Sequence, residues 1–396
     1  MALRFSPRFL IAALYFNVFC TGIAQVVISI DLTGWATRLT ANLTDLGTVI
    51  GAFGVGRLVI YAVLSFCRNR LSAQQIVAAG SVFQILYLVT LLQAESWQTA
   101  AAAVFLAGIS AALFDVGNFP LLCTLYENKA PSLGILTKTV MSFGQLLLPF
   151  LLAAETLWFP EAPFAALTFL LTAGSAAGLA AVLLTPTPSS VLPKTHDNPF
   201  SLTTLLPFLG YSVFSYASFA VVMLWMPFCM QTELGLPADS ARLSLTAFAL
   251  GSLAAGPVLA WIVSHLKMPG RLLWQLPLAA AVTTIFAVTF PSHAVMLTTS
   301  AVVGATAAGG VYQLAVVFLC LEHKAAQPQV TGIYLMAGAL SSIFLSITLG
   351  WLAETMPHQI LSTAVICTLI CSALGYVCHR RIVSFSDGNV VPHAPS

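Results

Sequence analysis

The sequence predicts an all-α membrane protein of 12 transmembrane helices, arranged as two pseudo-symmetric six-helix bundles. Twelve apolar stretches fill the chain, one long polar break interrupts them in the middle, and the basic residues gather on one side of the resulting topology. The mean hydropathy is +0.93. Charged residues occupy only 7% of the 396 positions, where a soluble domain carries about 25%. That composition excludes a soluble globule.

A hydrocarbon layer about 30 Å thick takes roughly 20 helical residues per crossing. In the first half, spans are expected over residues 9–31, 45–67, 73–93, 97–124, 135–157 and 163–184. In the second they are expected over 204–230, 240–264, 271–291, 294–321, 330–354 and 357–379. Runs such as Ala100 to Leu113 and Ala173 to Leu184 show no polar alternation, which rules out barrel strands. Helices satisfy their backbone groups internally, as lipid demands. Gly47 with Gly51, and Gly174 with Gly178, are small-residue pairs suited to close helix approach. Pro120, Pro149, Pro207 and Pro257 interrupt helix hydrogen bonding and suggest bends.

Orientation follows from the basic residues. With the N-terminus in the cytoplasm, Arg4, Arg8, Arg68, Arg70, Lys129, Lys138, Lys194, Lys267, Arg271, Lys324, Arg380 and Arg381 lie at or near the cytoplasmic side. Only Arg38 and Arg242 face out, and Arg57 is left inside a span. This is a strong positive-inside bias. It places both termini in the cytoplasm and makes the net charge of +2 a topology signal, with no nucleic-acid partner implied. No cleavable signal peptide is expected, since the first apolar segment runs on as a full span. The eight cysteines form no C-x-x-C pair and read as small apolar fillers, so neither metal nor disulfide is expected.

The break at 185–203 is rich in Pro, Ser and Thr and reads as a cytoplasmic linker. It separates a first bundle (1–184) from a second (204–384), followed by a cytoplasmic tail (385–396). A weak repeat supports the division: Gly54 lies 14 residues before Arg68 and 16 before Arg70, while Gly251 lies 14 before His265 and 16 before Lys267. Parallel repeats of this kind place a solute site near the midplane, between the halves.

Six stretches carry a more specific resemblance. They are Gly54-Val55-Gly56-Arg57-Leu58, Asp115-Val116-Gly117-Asn118-Phe119-Pro120, Lys138 to Gln145, Trp225-Met226-Pro227, Ala307 to Leu314, and Ile333-Tyr334-Leu335-Met336. Together they resemble the corresponding helices of the YdiM/YdiN-type bacterial inner-membrane transporters of the major facilitator superfamily. The resemblance implies the major facilitator fold, alternating access, a bacterial inner-membrane location and an association with small organic acids. One motif departs from the family. After the second span the family carries Gly-x-x-x-Asp-Arg/Lys-x-Gly-Arg/Lys-Arg/Lys, whereas this chain has Ser65-Phe66-Cys67-Arg68-Asn69-Arg70-Leu71-Ser72-Ala73-Gln74. Arg70 fits. Asn69 stands where the gating Asp belongs, and it hydrogen-bonds without forming an ion pair.

Arg57 and Asp115 are charges deep in spans, each costing at least about 2.5–3.5 kcal/mol unless paired or wet. Two readings stay open. Arg57 attracts an anionic solute while Asp115 pairs with it or exchanges a proton, or the two form a permanent structural pair. Lys138, near the cytoplasmic start of the fifth span, has a stem long enough to snorkel to the interface. In this architecture spans one, four, seven and ten line the cavity, and each carries a polar stripe: Asn17 and Thr21; Asp115 and Asn118; Tyr211, Ser215, Ser218 and Trp225; Thr306, Gly310 and Gln313. Tyr312 and Tyr334 join them as candidate solute contacts. Interhelical hydrogen bonding is the competing explanation for every such residue.

No Walker A loop, dinucleotide fingerprint or H-E-x-x-H occurs, so no cofactor is expected. The function expected is secondary transport of a small organic or aromatic acid, proton-coupled or by exchange, by a monomer in the bilayer. Proton-driven drug or metabolite efflux is the alternative, although Gln145 follows Gly144 where a drug antiporter carries its Gly-Pro signature. An embedded enzyme or a sensor ranks lower, because neither a nucleophile or metal cluster nor an added soluble domain is visible. A reporter fused after Pro193 should stay cytoplasmic and one inserted near Leu236 should be exported; export of the first would break the two-bundle reading.

Overall fold

The computed structural model describes residues 7–67, 71–125, 130–159, 164–185, 202–265, 269–308, 311–322 and 327–388. The first half contains α1 (Pro7–Val26), α2 (Leu32–Arg38), α3 (Leu43–Cys67), α4 (Ala73–Leu92), α5 (Trp97–Leu125), α6 (Ala130–Trp158) and α7 (Ala165–Leu184). The second contains α8 (Leu202–Leu234), α9 (Ala238–His265), α10 (Leu272–Thr289), α11 (His293–Val303), α12 (Val311–Glu322), α13 (Gln327–Thr355) and α14 (Gln359–Gly388). Twelve segments are long and apolar enough to cross a membrane, with α11 and α12 sharing one span. The expected linker lies almost wholly outside the described residues, as do Asn69 and Arg70.

The first span is shorter than the sequence suggests. Expected to reach residue 31, α1 ends at Val26, and the chain turns through Ser29–Asp31 into the short helix α2. The Asp31 carboxylate caps α2 by accepting from the Gly34 N–H at 3.0 Å. A polar cap inside a nominally apolar run thus starts a new short helix within it. Capping also fixes the start of α4, where Ser72 and Gln75 form a reciprocal capping box.

The two halves repeat the same close helix crossing. A Cβ at Gly56 would collide with the Phe105 carbonyl of α5, and one at Gly108 with the Phe53 carbonyl of α3. In the second half Gly251 meets the Ala301 carbonyl and Gly304 meets that of Phe248. This geometry equates Gly251 with Gly56, two residues from the Gly54 pairing that the sequence spacing suggests. Gly54 faces the other half, against Ala339 and Ile343 of α13. Immediately after the second crossing, Gly304–Ala308 forms a π turn. Such turns recur at functional positions in helices.

Between the halves, α3 runs along α13 and α6 along α9. At Gly47 an added methyl would meet the Gly350 Cα at 2.8 Å, so backbones touch across this interface. Where the obstacle is backbone, no rotamer change relieves it. Gly56→Ala should lower the melting temperature or the monodisperse yield sharply, on the scale of overpacking losses of about 1–3 kcal/mol. Gly256→Ala, with nothing within 4 Å of the new methyl, should be neutral. Equal behaviour of the two variants in fluorescence-detected size exclusion would refute this account of the crossing.

Candidate functional site

The ionisable groups of the interior converge beside α3. Arg57 is 10% exposed at its side chain, whereas Asp115 on α5 is 46% exposed. Arg57 Nη2 donates to Asp115 Oδ2 at 3.2 Å, and the Tyr61 hydroxyl donates to the same oxygen at 2.8 Å. That hydroxyl oxygen also accepts from Arg57 Nε at 3.2 Å and Nη2 at 2.8 Å. Tyr61 sits one helical turn beyond Arg57, which brings both side chains to one face. The pair is therefore triangular, with Asp115 as its open corner.

Asp115 opens onto a cavity of about 140 Å³ lined by Val18 and Thr21 of α1, Ala111, Phe114 and Asn118 of α5, and Thr137 and Met141 of α6. A cavity of roughly 150 Å³ holds one benzene molecule, so this one suits a small solute. Asn118 is buried on its wall, with its amide oxygen lacking a hydrogen-bond partner among the described residues. From the second half, Tyr216 and Tyr312 lie near enough to interact electrostatically with Arg57. Tyr216 donates to Ser342 Oγ at 3.2 Å, tying α8 to α13. Lys138, half-buried on α6, interacts electrostatically with Asp115 and Arg57.

The structure moves several expected contacts into helix packing. Asn17 donates to Ser81 Oγ of α4 at 3.0 Å. Tyr211 is 0% exposed and donates to the Leu273 carbonyl of α10 at 3.0 Å. Ser215 and Ser218 return their hydroxyls to their own helix, donating to the carbonyls of Ser212 at 3.3 Å and Ser215 at 2.8 Å. Trp225 is buried edge-on against Phe228. In this structure these five make packing contacts, because α1 turns Asn17 toward α4 and α8 turns its polar stripe toward its own neighbours. Tyr334 is buried as well, donating to the Tyr312 carbonyl at 3.2 Å, with the two rings 4.9 Å apart. Tyr312 is half-buried, its hydroxyl oxygen accepting from Ser212 Oγ at 3.3 Å, and Gln313 is exposed.

A second polar cluster went unread in the sequence. At the end carrying the α1/α2, α8/α9 and α13/α14 connections, the halves are latched. Arg242 of α9 binds Asp31 at 2.8 Å and Asp239 at 2.9 Å. Glu354 of α13 accepts from the Leu43 N–H at 3.0 Å and from the Thr44 hydroxyl at 2.6 Å, capping α3 across the interface. Thr33 donates to Gln231 Oε1 at 3.4 Å beside them. The signal was present: Arg242 is one of only two basic residues on the sparsely charged side.

Comparison with known proteins agrees with this architecture. The Major Facilitator Superfamily profile matches residues 14–346. The chain belongs to the Major Facilitator Superfamily. It is therefore a multi-pass membrane protein of a family of secondary transporters. It is 22% identical to the inner membrane transport protein YdiN of Escherichia coli (strain K12), covering 98% of this chain and 94% of that protein. It is 26% identical to YfkL of Bacillus subtilis (strain 168), described as an uncharacterized transporter of the family, over 87% of this chain and 88% of that one. Among solved structures, the D-xylose-proton symporter superposes with a TM-score of 0.70 at 15% identity, covering 93% of this chain and 97% of the other. A point mutant of the nucleoside transporter NupG gives 0.66 at 14%, covering 95% and 98%. These two likenesses establish the fold.

If the latch has to part during the cycle, cysteines replacing Thr33 and Gln231 in a Cys-depleted background, joined by a short thiosulfonate cross-linker, should stop solute flux. Reductant should restore it. Undiminished flux in the fully cross-linked protein would show that the latch does not open.

Proposed function

We propose that the protein carries a small organic acid together with a proton, by alternating access between its two halves. The observation that carries this reading is the Arg57–Tyr61–Asp115 triangle, whose carboxylate faces a cavity in the hydrocarbon layer. A structural ion pair has no need of an open corner. Asp115 is the proton site, and Arg57 is the group that meets the solute's carboxylate. Asn118 and Tyr312 supply neutral contacts at the same level, while Gln313 and Tyr334 stand beside Tyr312.

Coupling follows from charge balance. An unpaired charge at this depth costs at least about 2.5–3.5 kcal/mol. A proton on Asp115 removes the counter-ion of Arg57, and a carboxylate arriving at Arg57 replaces it. Proton and anion therefore favour each other's binding, as reciprocal linkage requires. Arg57 offers a planar fork that fits a carboxylate through two hydrogen bonds.

The latched end is assigned to the outer face, because the positive-inside pattern puts Arg38 and Arg242 there. The cavity then opens toward the cytoplasm, and Asn69 and Arg70 belong to the opposing cytoplasmic gate. The names of the curated relatives support a bacterial inner-membrane location. The monomer is the working unit, since the cavity is built within one chain.

In proteoliposomes, Arg57→Lys should weaken solute binding about tenfold or more, by losing the fork. Asp115→Asn should abolish gradient-driven accumulation while sparing exchange between compartments of equal pH. Full transport by the joint Arg57→Gln, Asp115→Asn variant would reduce the pair to packing and overturn the proposal.

A further inference from the structure

The interior charges do not balance. Arg57 and Asp115 neutralise each other at 3.2 Å. Lys138, which the proposed mechanism does not use, adds a third charge, and it forms no hydrogen bond or ion pair with any described residue. Its neighbours Thr137 and Met141 line the same cavity as Asp115 and Asn118. The titratable groups that interact with Arg57 or Asp115 here are Tyr61 of α3, Lys138 of α6, Tyr216 of α8 and Tyr312 of α12. With Arg57 and Asp115 included, only one of these groups is an acid of the carboxyl type, against two strong cations. Beside them, Asn118 lines the same cavity, and its buried amide oxygen has no partner among the described residues.

We infer that Lys138 is a second cationic anchor of the solute cavity, and that the cavity takes an acid with two anionic groups. This rests on the proton-coupled reading above and names its substrate class. Empty and unprotonated, the site carries one surplus positive charge. With a proton on Asp115 it carries two, and a dicarboxylate then closes the balance, one carboxylate at Lys138 and the other at Arg57. A monocarboxylate at Lys138 balances the unprotonated site but leaves Arg57 tied to Asp115; in the protonated state, which alone frees Arg57, it leaves one positive charge uncompensated. The cavity, about 140 Å³, limits the solute to a short diacid, and Asn118 accepts a hydrogen bond from any hydroxyl it bears.

Two measurements test this. In a Cys-depleted background, Thr137→Cys should react faster with sulfonatoethyl methanethiosulfonate than with its trimethylammonium analogue. Lys138→Gln should reduce that preference by about tenfold or more, as expected for one unit charge within about 8 Å in a partly hydrated site. Lys138→Arg should keep it. An unchanged preference in Lys138→Gln means the ammonium points away from the cavity and overturns the proposal. In proteoliposomes under a proton gradient, succinate, malate and glutarate should be taken up in preference to their monomethyl esters, and Lys138→Gln should erase that preference by raising KM for the diacids. Equal uptake of diacids and monoesters by the unaltered protein overturns the dianion assignment and leaves proton-coupled acid transport standing. Uptake of neither overturns the transport reading, while the thiol reagents still decide where Lys138 points.

Discussion

An arginine in the hydrocarbon layer has to be neutralised, and the interior of this protein is organised around the way Arg57 is. Its partner is a carboxylate contributed by another helix, Asp115, and the Tyr61 hydroxyl joins the two. Three polar groups with mutually satisfied hydrogen bonds lower the penalty that any one of them would carry alone. Arg57 and Tyr61 are buried, whereas Asp115, 46% exposed at its side chain, faces the cavity. That asymmetry is the ground for the proposed proton site.

The triangle depends on close helix approach. Arg57 follows Gly56 directly, and Gly56 sits where α3 touches the backbone of α5. With a larger residue at that crossing, the two helices would stand further apart, and a 3.2 Å ion pair between them would open. The second half repeats the crossing with Gly251 and Gly304, yet the residue after Gly251 is Ser252, which hydrogen-bonds Ser142 of the first half at 3.1 Å. The same scaffold therefore carries charge in one half and interface glue in the other. The polar chemistry of the two halves is asymmetric on a repeated frame.

The latch and the cavity lie at different levels. The ion pairs of Asp31, Asp239 and Arg242 and the Glu354 cap sit at a helix end, where water moderates their strength. Contacts of this kind suit a joint that opens and closes. Nearer the middle, Ser142 with Ser252 and Gln145 with Met223 keep the halves in register through weaker contacts. In the proposed cycle, a rocking motion about this middle layer would open the latched end without rebuilding either bundle.

The sequence by itself determined the twelve spans, their helical nature and the side on which the basic residues gather, because lipid leaves a long apolar run few choices. Arg57 and Asp115 were legible for the same reason, as charges too costly to leave unexplained. Helical spacing correctly placed Ser215 and Ser218 on one face of α8, but it could not say what that face meets. Rotation of a helix about its axis is set by its neighbours, and a serine hydroxyl that reaches its own helix carbonyl needs no solute. The tertiary structure set the neighbours that this stripe meets and brought Tyr61 to the Arg57–Asp115 pair. It also joined Asp31 to Arg242 across 211 residues of chain, a contact set by how the two bundles meet and invisible to any local pattern.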